Sequence, residues 1–327
     1  MKRRAYGYGT YRGRGRGSLG LKIIIAILAL VLFLAVAGFF LLERYMVYDD
    51  NGQARLELPF LSSETKDPSP SPSPSQLPPI VTQTPEPEKP TKPEVILPVS
   101  LPLEGLYDGS AAEAVTEAGG TAALFDMKPE SGMLAWVSDE TLAIQARVSA
   151  GDPELNEAIK AEAEKNEVYR IARVSCFKDQ ELSNADTTLA ITTGSGYRWL
   201  DSEKHRWLSP YDERVQEYLV GLCKELAQLG FDEILLDHAG YPTRGRLGYI
   251  RKDAAYDEAQ FETVISGFYT KLAEAVGEQD VVLSVVYDHQ TTALSGQSEK
   301  TLSELGITIV SREEDGKLIW GTKQAAE

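Results

Sequence analysis

Segments with the periodicity of an amphipathic helix alternate with short apolar runs along the part of the chain that follows residue 95. Five such helix and strand pairs follow one another, at 111–118 and 121–126, 152–166 and 168–177, 212–229 and 231–236, 255–276 and 281–287, and 302–305 and 307–310. Because helices that alternate with buried strands are typical of a mainly parallel sheet, the pattern predicts an α/β domain.

The repeated phase of these pairs favours a TIM-barrel-like fold. A complete eight-stranded barrel needs about 250 residues. Residues 95–327 offer 233 residues and five clear strands, so the sequence leaves open whether the barrel is complete. An open parallel α/β sheet is the alternative, and it is weakened because no Gly-rich phosphate loop follows a predicted strand.

The sequence before this domain predicts a membrane anchor. Residues 23–42 are twenty residues without a charge, which as a helix span about 30 Å of hydrocarbon. Residues 1–22 form a basic tail with seven Lys or Arg and no acid, so the positive-inside rule places this tail in the cytoplasm. A cleaved signal peptide ending near Ala35-Val36-Ala37 is the alternative, but the apolar run continues to Leu42 and favours an uncleaved transmembrane helix.

Two further segments separate the predicted anchor from the α/β domain. Residues 43–61 are a juxtamembrane segment to which we assign no function. Residues 62–94 hold ten of the seventeen prolines and favour an extended linker of polyproline II type. We therefore expect a single-pass cell-membrane protein that contacts the membrane through its N-terminal helix and holds the domain at 95–327 outside the cytoplasm.

The charge of the chain argues against one class of partner. Its formal net charge is -16, and without the seven cations of the tail this becomes -23. Such an acidic body does not suit the phosphate backbone of nucleic acid, so we expect no nucleic-acid partner. The two cysteines, Cys176 and Cys223, fall in a predicted strand and a predicted helix, which favours buried thiols over a disulfide.

Acidic residues recur where predicted strands end. They are Asp126, Asp179, Asp237 and Asp288. In a barrel the C-terminal ends of the strands meet on one rim, where two carboxyl groups can serve glycoside hydrolysis, one as the acid and one as the nucleophile or base. The alternative for each of these residues is a cap on the helix that follows its strand.

The pairs Asp237-His238 and Asp288-His289 raise the alternative of a divalent metal. Neighbouring residues on a strand point to opposite faces, so each pair offers one inward ligand. We therefore predict no metal and no cofactor. His238, His289 and His205 are then expected to be exposed loop residues.

Aromatic residues suggest a carbohydrate ligand. Trp199 and Trp207 lie in a loop rich in aromatic residues, and Tyr241 follows the strand that ends at Asp237. Flat aromatic rings stack on the C–H faces of sugars, which makes these three residues candidates for substrate binding. The alternative is that the two tryptophans hold their long loop against the body of the domain.

Four ordered segments resemble a known family. They are AALFDMKPESG, YRIARVSCFKD, LAITTGSGYRWLDSEKHRWLSPY and KELAQLGFDEILLDHAGYP. From Leu103 to Val310 the chain resembles the bacterial putative glycosyl hydrolase domain family, which is grouped with alpha-amylase-like TIM barrels. The resemblance implies a pocket with Asp237 as nucleophile and with five further charged residues, namely Asp126, Lys128, Arg173, Lys178 and Asp179.

The chain departs from this family after Asp237. The family continues with tyrosine, an apolar residue, arginine, phenylalanine and proline, whereas residues 238–242 here are HAGYP and lack the arginine. Arg244 and Arg246 are candidates to replace it. Two hypotheses follow: an extracytoplasmic glycoside hydrolase that acts on cell-wall or extracellular glycan, and a catalytically inactive barrel that binds glycan or a surface partner.

Overall fold

The structure, a computed structural model, describes residues 91–321 and the backbone of two short upstream strands, β1 (Met46–Tyr48) and β2 (Ala54–Leu56), which pair antiparallel. The basic tail, the predicted transmembrane helix and nearly all of the linker lie outside the described residues. Among the helices that the structure does describe, none has the length and hydropathy needed to cross a bilayer. The chain divides into two compact units, Met1–Val81 and Thr82–Glu327, and every element below belongs to the second unit.

Seven strands form one sheet in the order of the chain. They are β3 (Pro98–Ser100), β4 (Ala122–Lys128), β5 (Tyr169–Ser175), β6 (Glu233–Asp237), β7 (Val282–Val286), β8 (Thr308–Arg312) and β9 (Leu318–Trp320). Strands β3 to β8 are parallel, and β9 is antiparallel to β8. Because this order never reverses, the sheet lacks the switch point of a doubly wound fold, and the open-sheet alternative is not supported.

Helices and short 3₁₀ turns connect the strands. The helices are α1 (Ala111–Glu117), α2 (Thr141–Ala146), α3 (Leu155–Ala163), α4 (Gln180–Ala185), α5 (Glu213–Gln228), α6 (Phe261–Val276), α7 (Thr292–Ser295) and α8 (Glu299–Glu304). All five predicted helix and strand pairs are present. The predicted helix at 255–276 begins only at Phe261, because 3₁₀ turns at Ala254–Tyr256 and Glu258–Gln260 precede it, each capped by an aspartate.

The alternation of side chains along the strands separates two apolar layers. In β4, for example, Phe125 and Met127 pack in the outer layer with the helices, whereas Ala122 and Leu124 face the interior. The interior cluster joins side chains from all along the sheet, namely Ile96, Ala122, Leu124, Tyr169, Ile171, Leu235, Val310 and Trp320. Residues beside the first strand therefore meet residues of the last, so the sheet curls into a nearly closed, TIM-barrel-like fold.

A buried carboxylate occupies the end of the barrel at which the parallel strands begin. Glu233 accepts hydrogen bonds from Tyr169 Oη at 3.0 Å and from Trp320 Nε1, and Lys92 Nζ lies 3.4 Å from its carboxylate. These partners offset the desolvation of a carboxylate that is fully buried. They also bring β9 and the chain near residue 92 to this end, which we call the lower end.

The two cysteines are buried free thiols, as predicted. Burial raises the pKa of both groups, that of Cys223 to about 12. Both thiols therefore stay protonated at neutral pH and act as small apolar side chains in the outer layer.

A buried ion pair lies beneath the opposite, C-terminal rim of the strands. Lys128, the last residue of β4, has its Nζ 2.8 Å from Asp179 Oδ2 and donates to the carbonyl oxygen of Ser175 at 2.6 Å. The other carboxylate oxygen of Asp179 accepts a hydrogen bond from Leu182 N at 2.9 Å and caps α4. Asp179 was expected to be catalytic and Lys128 to contact substrate, and the structure places both side chains in a fully buried pair.

Two glycines allow a stability test of this buried pair. Gly132 and Gly119 both have positive φ, but an added Cβ would lie 2.1 Å from Asp179 Oδ1 at Gly132 and would meet nothing within 4 Å at Gly119. We expect Gly119→Ala to lower the free energy of unfolding by about 1 to 2 kcal/mol, and Gly132→Ala to lower it by about 1 to 3 kcal/mol more. Urea unfolding of the two variants checks this, and equal losses would show that Asp179 moves aside freely.

Candidate active site

One guanidinium gathers three carboxylates at the rim. Arg173 Nη1 donates to Asp126 Oδ2 at 2.8 Å, and Nη2 donates to Glu130 Oε1 at 2.7 Å. Its Nε and Nη2 also donate to Asp237 Oδ2, at 2.9 and 2.8 Å. The sheet register produces this arrangement, because Asp126 lies beside Arg173 on the neighbouring strand, and Asp237 ends the strand on the other side.

A second arginine binds the same aspartate from another strand. Arg312, the last residue of β8, donates through Nη2 to Asp237 Oδ2. The backbone N–H of His238 donates to Asp237 Oδ1 at 2.9 Å, and the side chain of Asp237 is only 2% exposed. Arg244 and Arg246, the residues expected to replace the missing family arginine, are exposed, and neither contacts Asp237. Two arginines from distant parts of the sequence therefore hold this carboxylate.

The three carboxylates differ in environment. Burial raises the pKa of Asp126, helped by the charges of Glu130 and Asp237 and only partly opposed by Arg173. Burial acts in the same direction on Asp237, but His238 and the two arginines lower its pKa well below the ordinary range. Arg173 and the backbone likewise lower the pKa of Glu130 against the effect of burial. At neutral pH Glu130 and Asp237 are ionised, and Asp126 holds a proton more readily than an ordinary aspartate.

The three carboxylate side chains also differ in how much of each is exposed to solvent. The side chain of Asp126 is 45% exposed and that of Glu130 is 26% exposed, against 2% for Asp237. Asp126 and Glu130 are therefore the carboxylates that a ligand can reach directly. Asp237 lies beneath them and is bound by Arg173 and Arg312.

His238 lies inside this cluster, which corrects the prediction of an exposed loop residue. Its backbone has φ of 48°, in the left-handed region, so the residue leaves the strand alternation on which that prediction rested. Its side chain is 17% exposed, and its ring packs edge-on against Trp207 with centroids 5.7 Å apart. Of the other two histidines, His289 is exposed and His205 is half-buried.

Among residues 91–321, two groups of side chains have the spacing of metal ligands, and neither fits a divalent cation. Glu130, Asp237 and His238 offer three ligand atoms within 4.8 Å of one another, but the guanidiniums of Arg173 and Arg312 already bind the carboxylates there. The second group is Asp201, Glu203 and His205. The ammonium of Lys178 pairs with both of its acids, so a cation would meet a like charge in each place.

The predicted substrate-binding aromatic residues are mostly buried. Trp199 is 2% exposed and donates to the carbonyl oxygen of Arg246, and Trp207 is 7% exposed and donates to Asp201 Oδ2. Tyr241 stacks on Phe261 with centroids 3.7 Å apart. The tryptophans hold their loop in place, and none of these three rings presents a free face. Lys178, with a side chain 6% exposed, belongs to the same buried layer.

A large groove lies apart from the carboxylates. Its volume is about 870 Å³, and threonines, charged residues and the half-exposed Tyr211 line it. We call it the Tyr211 groove. None of Asp126, Glu130, Arg173 and Asp237 lines it. Its size suits a ligand pocket, but the groups with opposed pKa shifts lie at the rim, and we assign the chemistry to the rim.

The sequence also matches a known family. Residues 110–307 match the family described as "Putative glycosyl hydrolase domain". The chain belongs to this family. The match spans β4 to β7 and therefore includes Asp126, Glu130, Arg173 and Asp237, whereas Arg312 lies outside it.

No curated protein sequence matches the chain. Among solved structures, it is similar to a hypothetical protein from Ruminiclostridium thermocellum, at 24% identity over 58% of this chain and 96% of that one, with a TM-score of 0.46. It is also similar to the PgaB (BpsB) glycoside hydrolase domain from Bordetella bronchiseptica, at 13% identity over 67% and 74%, with a TM-score of 0.47. The alpha-galactosidase TtGalA from Thermus thermophilus is similar at 13% identity and a TM-score of 0.38 over 67% of this chain, which spans 46% of that chain. Likenesses of this degree carry no conclusion about activity.

Sequence reasoning missed two residues of the rim, Glu130 and Arg312. Glu130 lies in a turn four residues after Asp126, where only its place in the AALFDMKPESG segment pointed to it. Arg312 lies 75 residues after Asp237, and only the strand order brings the two together. No local signal in the sequence marks Arg312 as part of the site.

Replacing Arg173 by glutamine tests whether the guanidinium holds the cluster. Removing one partner of a buried ion pair costs about 3 to 5 kcal/mol, and we expect the free energy of unfolding to fall by this amount at pH 7. The loss should shrink as the pH falls towards about 5, because carboxylates without their arginine take up protons more readily. Urea unfolding at both pH values measures this.

Arg312→Gln is the matched control, because the side chain of Arg312 is 37% exposed and binds one carboxylate. Its loss should be smaller. An Arg173→Gln variant as stable as Arg312→Gln at pH 7 would contradict the central place of Arg173.

Proposed function

We propose that the domain hydrolyses a glycosidic bond in a cell-wall or extracellular glycan. The observation that supports this most is the rim itself, where one guanidinium holds three carboxylates whose pKa values are shifted in opposite directions. Glycoside hydrolysis needs one carboxyl group that donates a proton and another group that stays ionised beside it. Family membership supports the same reaction class.

Asp126 is the proton donor in this proposal. Its raised pKa favours the protonated form, and its exposure lets it reach the oxygen of a leaving group. Asp126 and Asp237 bind the same guanidinium, which places a group of raised pKa beside one that stays ionised.

Asp237 and Glu130 supply negative charge. The transition state of glycoside hydrolysis develops positive charge at the anomeric carbon, which ionised carboxylates stabilise. Asp237 was expected to be the nucleophile, but donors from two arginines and one backbone N–H surround it, and it is almost fully buried. We therefore propose an electrostatic role for Asp237 and direct contact with the sugar for Glu130.

A catalytically inactive, glycan-binding barrel is the second candidate function. The hydrogen-bond donors around Asp237 favour this candidate. A carboxylate that accepts so many hydrogen bonds is a poor nucleophile, but it orients the groups that donate to it. On this hypothesis Asp126, Glu130 and the arginines bind hydroxyl groups of a glycan without cleaving it.

We also propose that the domain is held outside the cytoplasm by the N-terminal helix and the proline-rich linker. The support is the charge pattern of residues 1–42 and the composition of residues 62–94. The contact between Lys92 and Glu233 adds that the chain enters the barrel at its lower end. The rim with its carboxylates is at the other end of the barrel from residue 92.

Asp126→Asn tests the assignment of the proton donor. We expect hydrolysis of a natural glycan to fall by about 10² to 10⁴-fold, because the leaving oxygen departs without a proton. Aryl glycosides with an acidic phenol as leaving group should lose much less activity, since they need little protonation. A screen of cell-wall glycans and aryl glycosides measures both.

Asp288→Asn is the matched control for this screen. Asp288 also follows a strand, but its carboxylate accepts a hydrogen bond from Gln290 N in a turn and lies outside the cluster on Arg173. Equal losses on both substrate classes in Asp126→Asn would contradict proton donation. A wild-type protein that binds glycan and cleaves none would favour the inactive barrel.

The proposed location predicts the outcome of proteolysis on intact cells. Protease added from outside should release the acidic domain by cutting in the linker at residues 62–94, while a tag placed at the N-terminus stays protected until the cells are lysed. Immunoblots for the two ends follow this. Protection of the domain together with loss of the N-terminal tag would reverse the orientation.

A further inference from the structure

His238 occupies a position in the rim that the proposed reaction has not yet used. It is the first residue after β6, and its left-handed backbone turns the ring towards the carboxylates. Ring nitrogen Nδ1 lies 3.6 Å from Asp237 Oδ1 and 3.8 Å from Glu130 Oε1. Nδ1 also lies 3.1 Å from Ser175 Oγ.

The hydroxyl group of Ser175 decides which nitrogen of this ring carries the hydrogen. Ser175 Oγ donates its single hydrogen to the carbonyl oxygen of Lys178 at 2.8 Å. It can therefore only accept from His238, so the hydrogen is on Nδ1. In the neutral ring the lone pair is then on Nε2.

The other ring nitrogen, Nε2, has no hydrogen-bond donor in the described part of the protein. Within residues 91–321, no side chain or backbone N–H donates to Nε2, and the side chain of His238 is 17% exposed. The charged groups around the ring are Asp237 and Glu130, which favour its protonation, and Lys178 and Arg173, which oppose it. Burial is the largest influence and lowers the pKa of His238 below its ordinary value, which favours the neutral ring.

The ionised carboxylates are poorer bases than this ring. Hydrogen-bond donors surround Asp237, and Arg173 binds Glu130. These contacts lower the pKa of both carboxyl groups. A base works best when its pKa is near the working pH, and a neutral imidazole meets this condition better than a strongly acidic carboxyl group.

We propose that His238 Nε2 is the general base that accepts a proton from the attacking water, and this inference rests on the proposed hydrolysis. The water oxygen bonds to the anomeric carbon as the glycosidic C–O bond breaks. One proton passes from water to Nε2, and one passes from Asp126 to the leaving oxygen. Glu130 and Asp237 stabilise the imidazolium through its Nδ1 side, and exchange with solvent then resets both groups. Because water attacks directly, the configuration at the anomeric carbon inverts.

The state of the ring can be measured without any substrate. The chain has three histidines, so ¹⁵N spectra of the full-length protein are assigned by comparing wild type with His205→Gln and His289→Gln. We expect the signal that remains in both variants to show the hydrogen on Nδ1 and to titrate below 6.5. Hydrogen on Nε2 at pH 7 would overturn the proposal.

Kinetics test the role itself. In His238→Gln we expect kcat to fall by about 10² to 10⁴-fold, the acidic limb of the pH profile assigned to this ring to disappear, and added imidazole to restore part of the rate. A purely structural role predicts an unchanged pH profile and no rescue. His289→Gln, at an exposed site, should keep the wild-type profile.

The outcomes separate this inference from the function on which it rests. If Asp126→Asn loses hydrolysis while His238→Gln keeps its rate and its acidic limb, the base is another group and the hydrolase proposal stands. Retention of configuration in the first product, seen by ¹H NMR of the released sugar, would also overturn a water-activating base. A wild type without any hydrolysis overturns both proposals. If His238→Gln does not fold, the wild-type spectra and product configuration still decide.

Discussion

The side chain of Arg173 is the interaction on which the rim depends. Its guanidinium donates four hydrogen bonds to three carboxylates, two of them in the segment 126–130 and the third at Asp237, far along the sequence. Because the guanidinium is planar and held by the strand, it fixes both the separation of the acids and their unequal protonation. A lysine at this position would supply the charge without the geometry.

Much of this could be predicted from the sequence, for a physical reason. Alternation along buried strands and the meeting of parallel strand ends on one rim are local rules, so Asp126 and Asp237 could be placed together from the order of residues alone. Arg173 was expected there only because the family resemblance implied it. Two strands, β3 and β9, were not predicted because three residues are too few to show a period. Asp179 was expected to be catalytic, and in the structure its side chain caps α4. An aspartate at the end of a strand suits either role, so the residue type alone does not distinguish them.

Other parts of the site depend on information that is not local. Arg312 contacts Asp237 because the curled sheet brings the end of β8 close to the end of β6. That proximity depends on the strand order and on the curvature of the sheet, and neither can be read from the residues near Arg312. His238 follows Asp237 in sequence, yet its positive φ sets aside the alternation that predicted an exposed ring. Trp199 and Tyr241 were expected to bind sugar, but both rings are packed inside the domain. Aromatic residues near a rim serve packing as readily as sugar binding, so their position in the sequence does not decide between the two.

The two ends of the barrel interior have different chemistry. At the lower end the carboxylate of Glu233 is closed in by Tyr169, Trp320 and Lys92, whereas at the rim the charged groups remain partly open. The interior between them is apolar. The carboxylates that remain accessible in this cluster are thus those of the rim, Asp126 and Glu130.

The most direct test of the central claim is a crystal structure of the protein soaked with a set of iminosugars. Their protonated ring nitrogen carries the positive charge that develops at the anomeric carbon during hydrolysis, so a hydrolytic rim should bind them. We predict an iminosugar ring at the rim, with its nitrogen beside Glu130 and a hydroxyl group on Asp126. Iminosugars found only in the Tyr211 groove, with the rim empty, would contradict the account.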